Sequence, residues 1–290
     1  MRDPDPRALT ATRLSHLGFR TPDVATMSRF YQEIVGLQLH GEDPDGRVRL
    51  GWERGHHVLE LIPGQGGFDH LAFEVRDPGG AEACAERLAG SGVQVSWRPA
   101  EGSHPAVASV RDPEGNLVEL HGPVDRSGEY SGDTGRRPQR VQHATLATRA
   151  MHQVVDFYLA LGFRMSDRLE DDSFIWLRSD QMHHSLAAVV ARAEGALDHY
   201  SFDVGGWGDF KEWCDRLGAS RVPICWGPAR HGPGNNLFVM FADPDGNRVE
   251  LSAELEMFWD DIAEYRPRVW KNDPWTVNLW GGTGPDWRER

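Results

Sequence analysis

The sequence predicts an α+β protein of two tandem domains, each built from two βαβββ modules, and three observations predict it. The chain has 290 residues, enough for about two cores at roughly 150 residues per domain. It also repeats itself. His16 and Phe30-Tyr31 recur as His143 and Phe157-Tyr158 at an offset of 127 (143 − 16). FDHLAFEV at 68–75 recurs as LDHYSFDV at 197–204, offset 129 (199 − 70), and RDPEGNLVEL at 111–120 as ADPDGNRVEL at 242–251, offset 131 (250 − 119). Such a slow drift is what a tandem duplication with small loop insertions leaves behind. Finally, the hydrophobic period switches between 2 and 3.6 twice in each half, giving strand, helix and three strands each time.

In order, the apolar positions around His16 alternate as in a strand. DVATMSRFYQEIVG then sets Val24, Met27, Phe30, Tyr31 and Ile34 at helical spacing behind a Pro22-Asp23 start signal. VRLGWE and HHVLELI read as strands parted by Gly55, and GQGG at 64–67 as a hairpin turn with no following helix to cradle phosphate. After the strand FDHLAFEV, AEACAERLAGSG reads as a helix ending in Gly. VQVSWR, AVASVRD and NLVEL complete the half, the last two joined by the turn Asp112-Pro113-Glu114-Gly115-Asn116. The expected boundaries are an N-terminal extension 1–12, a first domain 13–121, a Gly-, Arg- and Asp-rich linker 122–139, a second domain 140–255 and a Trp-rich tail 256–290.

Composition excludes several classes. Lys+Arg of 31 against Asp+Glu of 44 gives a net charge of −13, which repels phosphate backbones and anionic headgroups, so neither nucleic acid nor a membrane is an expected partner. No run approaches the ~18 apolar residues of a membrane span. Cys84, Cys214 and Cys225 form neither a disulfide framework nor a zinc motif, and a reducing cytoplasm is the expected compartment.

The repeated markers carry chemistry. His143 and His199 open the two modules of the second half and Glu250 lies on its last strand; two neutral imidazoles and a carboxylate form the facial triad typical of non-haem iron(II). A lone strand histidine is more often satisfied by a backbone carbonyl. Three metal-capable residues recurring at the same places in both halves favour ligation.

With these residues the chain resembles the vicinal oxygen chelate superfamily, and its second half resembles the type I extradiol ring-cleaving dioxygenases of the catechol 2,3-dioxygenase and dihydroxybiphenyl dioxygenase kind. The resemblance covers about 13–255 and continues into the tail. It implies a cupped mixed sheet around a metal held by His143, His199 and Glu250, with Fe(II), or alternatively Mn(II), as cofactor. It also implies His184 and His231 as catalytic histidines and Trp176, Asn235, Asn236, Met240 and Pro274 as substrate-binding residues; RHGPGNN at 230–236 is its most discriminating string. The implied reaction is extradiol cleavage of a small aromatic diol by O2, and the implied assembly a homo-oligomer. A catechol must lose protons to chelate and a proton must return as the ring opens, which suits histidines.

Two departures bear on the substrate. The family usually places a tyrosine ten residues before the metal carboxylate, where this chain has Met240, which implies slower turnover, another donor or a substrate needing less help. Relatives that hold acidic side chains use an arginine where this chain has Trp226, so an apolar catechol is expected. The first copy, His16, His70 and Glu119, is expected to be vestigial or weakly metal-binding, with a second active site as the alternative. Five of eleven tryptophans, Trp259, Trp270, Trp275, Trp280 and Trp287, fall in the tail, which is expected to pack on its own domain, the alternative being that it covers the pocket mouth and an oligomer interface with Pro274 bordering the substrate. The competing functions are another metal-dependent, glyoxalase-like reaction and metal-independent ligand binding.

Overall fold

The computed structural model describes residues 11–52, 56–76, 80–90, 92–100, 105–124, 137–191, 197–259 and 265–281. Most of the extension and linker, Gly55 and Trp287 lie outside the described residues. The chain divides into two compact units, Met1–Arg136 with Asp156–Phe163, and Arg137–Val155 with Arg164–Arg290.

The first unit contains β1 (Ala11–Thr21), α1 (Val24–Phe30), β2 (Gln38–Glu42), β3 (Val48–Gly51), β4 (Leu59–Pro63), β5 (Gly67–Val75), α2 (Gly80–Gly90), β6 (Ser96–Arg98), β7 (Val107–Arg111) and β8 (Leu117–His121). Asp23 caps α1 by accepting from the Thr26 amide at 2.9 Å. The helical segment then continues as a π-helical turn, Tyr31–Val35, closed by Gly36 at φ 84°, a conformation that glycine adopts without steric penalty. The eight-stranded sheet runs β2-β3-β4-β1-β5-β8-β7-β6. Each module closes with a parallel pair, β1 with β4 and β5 with β8, and an antiparallel β1–β5 pairing joins the two modules. GQGG is therefore not a hairpin turn: β4 and β5 flank β1 on opposite sides, so the glycines carry the chain over β1 from one module to the next.

The second sheet repeats this plan. Its elements are β9 (Arg140–Thr148), α3 (Met151–Ala160), β10 (Arg164–Leu169), β11 (Phe174–Arg178), β12 (Leu186–Val190), β13 (His199–Asp203), α4 (Trp207–Ala219), β14 (Ile224–Arg230), β15 (Leu237–Ala242), β16 (Arg248–Ala253), β17 (Arg268–Trp270) and α5 (Pro274–Val277). Its order is β14-β15-β16-β13-β9-β12-β11-β10-β17, with β9–β12 and β13–β16 parallel and β9–β13 antiparallel.

Strand alternation assigns the two faces. Ala144, Leu146, Tyr200, Phe202, Val249 and Leu251 are buried on one face, and the intervening positions put His143, Thr145, His199, Ser201 and Glu250 on the other. The tail adds β17 to the outer edge of the sheet, parallel to β10. Its Trp270 packs on Leu169, Trp176 and Ala187. Trp280 meets Trp207 edge-on at 5.5 Å, and backbone bonds from Gly232 to Thr276 and from Leu279 to Arg230 tie the tail to the same unit, although Trp259, Trp275 and Trp280 remain exposed. Among the described residues no helix is long and apolar enough to cross a membrane.

Candidate metal centre

Strands β16, β13 and β9 lie side by side, and Ser201 is in register with Glu250 on one side and His143 on the other. His199, two positions earlier on β13, points to the same face. One donor atom from each of His143, His199 and Glu250 therefore falls within 4.8 Å of the others. His143 Nε2 lies 3.9 Å from Glu250 Oε1, and His199 Nε2 and His231 Nε2 lie 3.6 and 3.8 Å from Oε2.

Hydrogen bonds to the far ring nitrogens fix the tautomers. His143 Nδ1 donates to Gln142 Oε1 at 3.0 Å, His199 Nδ1 to Asp198 Oδ1 at 2.6 Å and His231 Nδ1 to the Val277 carbonyl at 2.5 Å. Each Nε2 is then a lone pair turned towards Glu250. His184 stands over His143, rings 4.3 Å apart. Its Nδ1 faces His183 Nδ1 at 3.0 Å, while His183 Nε2 lies 3.0 Å from the acceptor-only carboxylate of Asp167. A proton on His183 Nε2 leaves His183 Nδ1 as the acceptor for His184 Nδ1–H, so His184 also presents Nε2 as a lone pair.

Electrostatics agree with these assignments. Burial lowers His143 to about 3 despite the opposing charge of Glu250, and burial with the neighbouring His143 holds His184 well below the imidazole range. Burial alone would raise Glu250; any charge on His143 or His199 and the hydrogen bond from His231 act the other way and keep its carboxyl ionised. Neutral imidazoles beside an ionised carboxylate are the protonation states that metal ligation needs. Glu250 Oε2 is fully buried and has no hydrogen-bond partner, the arrangement a cation completes.

The site opens into a cavity of about 570 Å³, part of it open to solvent. Its walls bring together Trp176, Met240, His184 and His231 from the expected residues, with Phe174, Val189, Trp226, Pro233 and Val277. Asn235, Asn236 and Pro274 are not brought to that wall. Asn236 is buried beside the metal group, donating to Ser252 Oγ at 2.9 Å and Glu250 Oε1 at 3.4 Å. Asn235 is exposed at φ 53°, its carbonyl held by Arg230 at 2.7 Å, and Pro274 begins α5. Gly232 serves close approach, since a Cβ there would meet the Thr276 carbonyl at 2.6 Å.

Sequence reasoning missed Gln142, Asp198, His183, Asp167 and Val277. Asp198 was the accessible one: an aspartate directly precedes both repeated histidines, as Asp69-His70 and Asp198-His199. In the first unit His16, His70 and Glu119 likewise fall within 4.8 Å of one another.

Tandem units of paired βαβββ modules, each bearing two histidines and a glutamate on the open face of its sheet, define a metal-chelating enzyme scaffold. The chain belongs to the Glyoxalase/Bleomycin resistance protein/Dioxygenase superfamily, whose model matches residues 13–120 and 140–251. It is 25% identical over 285 residues, 89% of this chain and 90% of the relative, to the manganese-dependent 2,3-dihydroxybiphenyl 1,2-dioxygenase of Geobacillus genomosp. 3. Among solved structures it is similar to the Mn(II)-bound glyoxalase from Novosphingobium aromaticivorans (TM-score 0.86, 26% identity, 97% of this chain and 94% of that one). It is also similar to the 2,3-dioxygenase LapB from Pseudomonas sp. KL28 (TM-score 0.81, 26% identity, 90% and 98%).

Proposed function

We propose that the second unit is an extradiol dioxygenase site that opens an apolar catechol with O2, using a divalent metal held by His143, His199 and Glu250. The observation that carries this reading is the convergence of imidazole lone pairs on an unpartnered, buried Glu250 oxygen at the floor of an apolar cavity. Fe(II) is the expected ion; Mn(II), named for the Geobacillus relative, suits the same donors. When bound, such an ion supplies chelation of the two diol oxygens and activation of dioxygen.

The side chains do the rest. Phe174, Trp176 and Trp226 offer flat apolar faces to an aryl ring, and Met240 fills the wall where a hydroxyl would otherwise stand. Arg248, the cation on the wall, is engaged by Asp198 at 2.9 Å, so no charge awaits a substrate carboxylate there. His184 Nε2 takes a proton from a diol hydroxyl and returns it as the ring opens. His231, stacked on Phe238 at 3.8 Å and tied to Val277, accepts a hydrogen bond from the diol on the other side.

The test is oxygen uptake by anaerobically metal-loaded protein given catechol, 3-methylcatechol or 2,3-dihydroxybiphenyl. Oxygen consumption with a yellow ring-opened product is expected. Turnover of a 2-oxoaldehyde hemithioacetal without oxygen uptake would instead assign a glyoxalase-type reaction.

A further inference from the structure

The first unit repeats the metal geometry closely. His16 and His70 have ring centroids 5.3 Å apart at 82°, against 5.5 Å and 85° for His143 and His199. His57 stands over His16 at 4.3 Å and 49°, the same values as His184 over His143. His70 Nδ1 donates to Asp69 Oδ2 at 2.9 Å as His199 does to Asp198, leaving its buried Nε2 without a hydrogen-bond partner. His70 thus keeps its orienting partner, whereas His16 Nδ1, unlike His143 Nδ1, has none among the described residues.

The two units differ at neighbouring register positions. Gly18 pairs with Glu60 on β4 where Thr145 pairs with Ala187 on β12, so a carboxylate replaces a methyl group. Across the next pairing Arg49 replaces Trp176. Glu60 is buried, 3.9 Å from His70 Nε2 and 3.4 Å from His57 Nε2, and is held by Arg47 and Arg49 at 3.0 and 2.8 Å. The aromatic wall that leaves the second site open thus becomes an acidic donor with its own cationic support.

We propose that the first unit holds a second divalent-cation site, made by His16, His70 and Glu119 with Glu60 as fourth donor. Two donors about 2.1 Å from one ion stand about 3–3.5 Å apart; His16, His70 and Glu119 already lie within 4.8 Å of one another, with His16–Glu119 at 4.0 Å, whereas Glu60 is 3.9 Å from His70 but outside that group, so its carboxylate must swing inward to ligate. Two imidazoles and two carboxylates suit Mn(II), Fe(II) or Zn(II) and neutralise a dication. For a tetrahedral ion four protein donors make a closed site, and for a six-coordinate ion they leave one fewer open position than the second unit's three, so the first unit's ion stabilises the fold while the second unit's faces substrate. This holds whether or not the second unit cleaves a catechol.

The test uses full-length chain stripped with a chelator, dialysed against Mn(II) and assayed for bound metal by mass spectrometry. His143→Ala/Glu250→Ala protein is expected to retain about one equivalent and to gain thermal stability when Mn(II) is added. Adding Glu119→Gln or His70→Gln to that background should abolish both effects, and Glu60→Gln should weaken binding at least tenfold. Circular dichroism of each variant separates lost metal from lost fold. No metal in the folded His143→Ala/Glu250→Ala protein, or metal indifferent to Glu119→Gln, overturns the proposal; unchanged affinity in Glu60→Gln removes the fourth donor.

Discussion

His183 Nδ1 and His184 Nδ1 face each other at 3.0 Å, so only one of the two rings can carry a proton at that contact. Asp167, 3.0 Å from His183 Nε2, selects which, and so leaves Nε2 of His184 as a lone pair on the ring that stands over His143. His184→Gln or His231→Gln is expected to leave metal bound but to slow ring opening by about 10²–10⁴-fold, the range for general acid–base groups. Metal analysis beside single-turnover kinetics checks this; unchanged turnover in both variants would remove these histidines from the reaction.

Asp167 also gathers the tail, accepting from Trp270 Nε1 at 2.7 Å, Tyr265 Oη at 3.1 Å and Arg268 Nε at 3.0 Å. Asp167→Leu leaves these donors unpaired, and a loss of roughly 1–3 kcal/mol in urea unfolding is expected. Gly232→Ala should act on the same seam from the other side, pushing the Thr276 carbonyl away and loosening the Val277 hold on His231. Faster limited proteolysis after residue 256, with lower turnover at full metal content, is the expected outcome.

Acid should weaken the metal-free chain through the same group of residues. The folded value of His143, about 3, lies below its unfolded value near 6.5, so its contribution to stability is complete above about pH 6.5 and declines as pH falls towards 3. Glu250, lowered by the same neighbouring imidazoles, titrates as a pair with His143 and shifts in the same direction, so the two are read as one acid-side loss. Thermal unfolding of chelator-stripped protein from pH 7 to pH 4 is expected to shift downward, and more gently in His143→Asn. Equal slopes in the two proteins would show that His143 is not buried as a neutral ring.

Much of this was legible in the sequence because duplication marks it twice. The paired βαβββ order and the His-His-Glu triads follow from self-comparison. What stayed hidden depends on contacts between distant segments. Val277 reaches His231 only because the tail folds back through the Gly232–Thr276 backbone bond, and Asp167 reaches His183 across strands whose register no local pattern encodes. The substitution of Glu60 for Ala187 needs strand register, since the offset between halves drifts where loops differ. GQGG misled because a glycine turn between two strands is the same locally whether they pair or flank a third.

Met240 offers the sharpest test of substrate size. It is buried on β15 in register with both Glu250 and Trp226, packs on Ala229 and Phe238, and lines the cavity. Met240→Tyr puts a phenol hydroxyl at the wall beside the metal group, where it can donate to a diol oxygen; one neutral hydrogen bond contributes about 0.5–1.5 kcal/mol, so a gain of at most several-fold is expected for catechol. The ring also takes space from the cavity that Met240 lines, and a biaryl diol should lose more than catechol gains. Steady-state kinetics of the single variant on catechol and on 2,3-dihydroxybiphenyl read both effects. Opposite changes on the two substrates identify a pocket shaped for a bulky apolar diol, whereas identical kinetics on both would place position 240 out of contact with substrate.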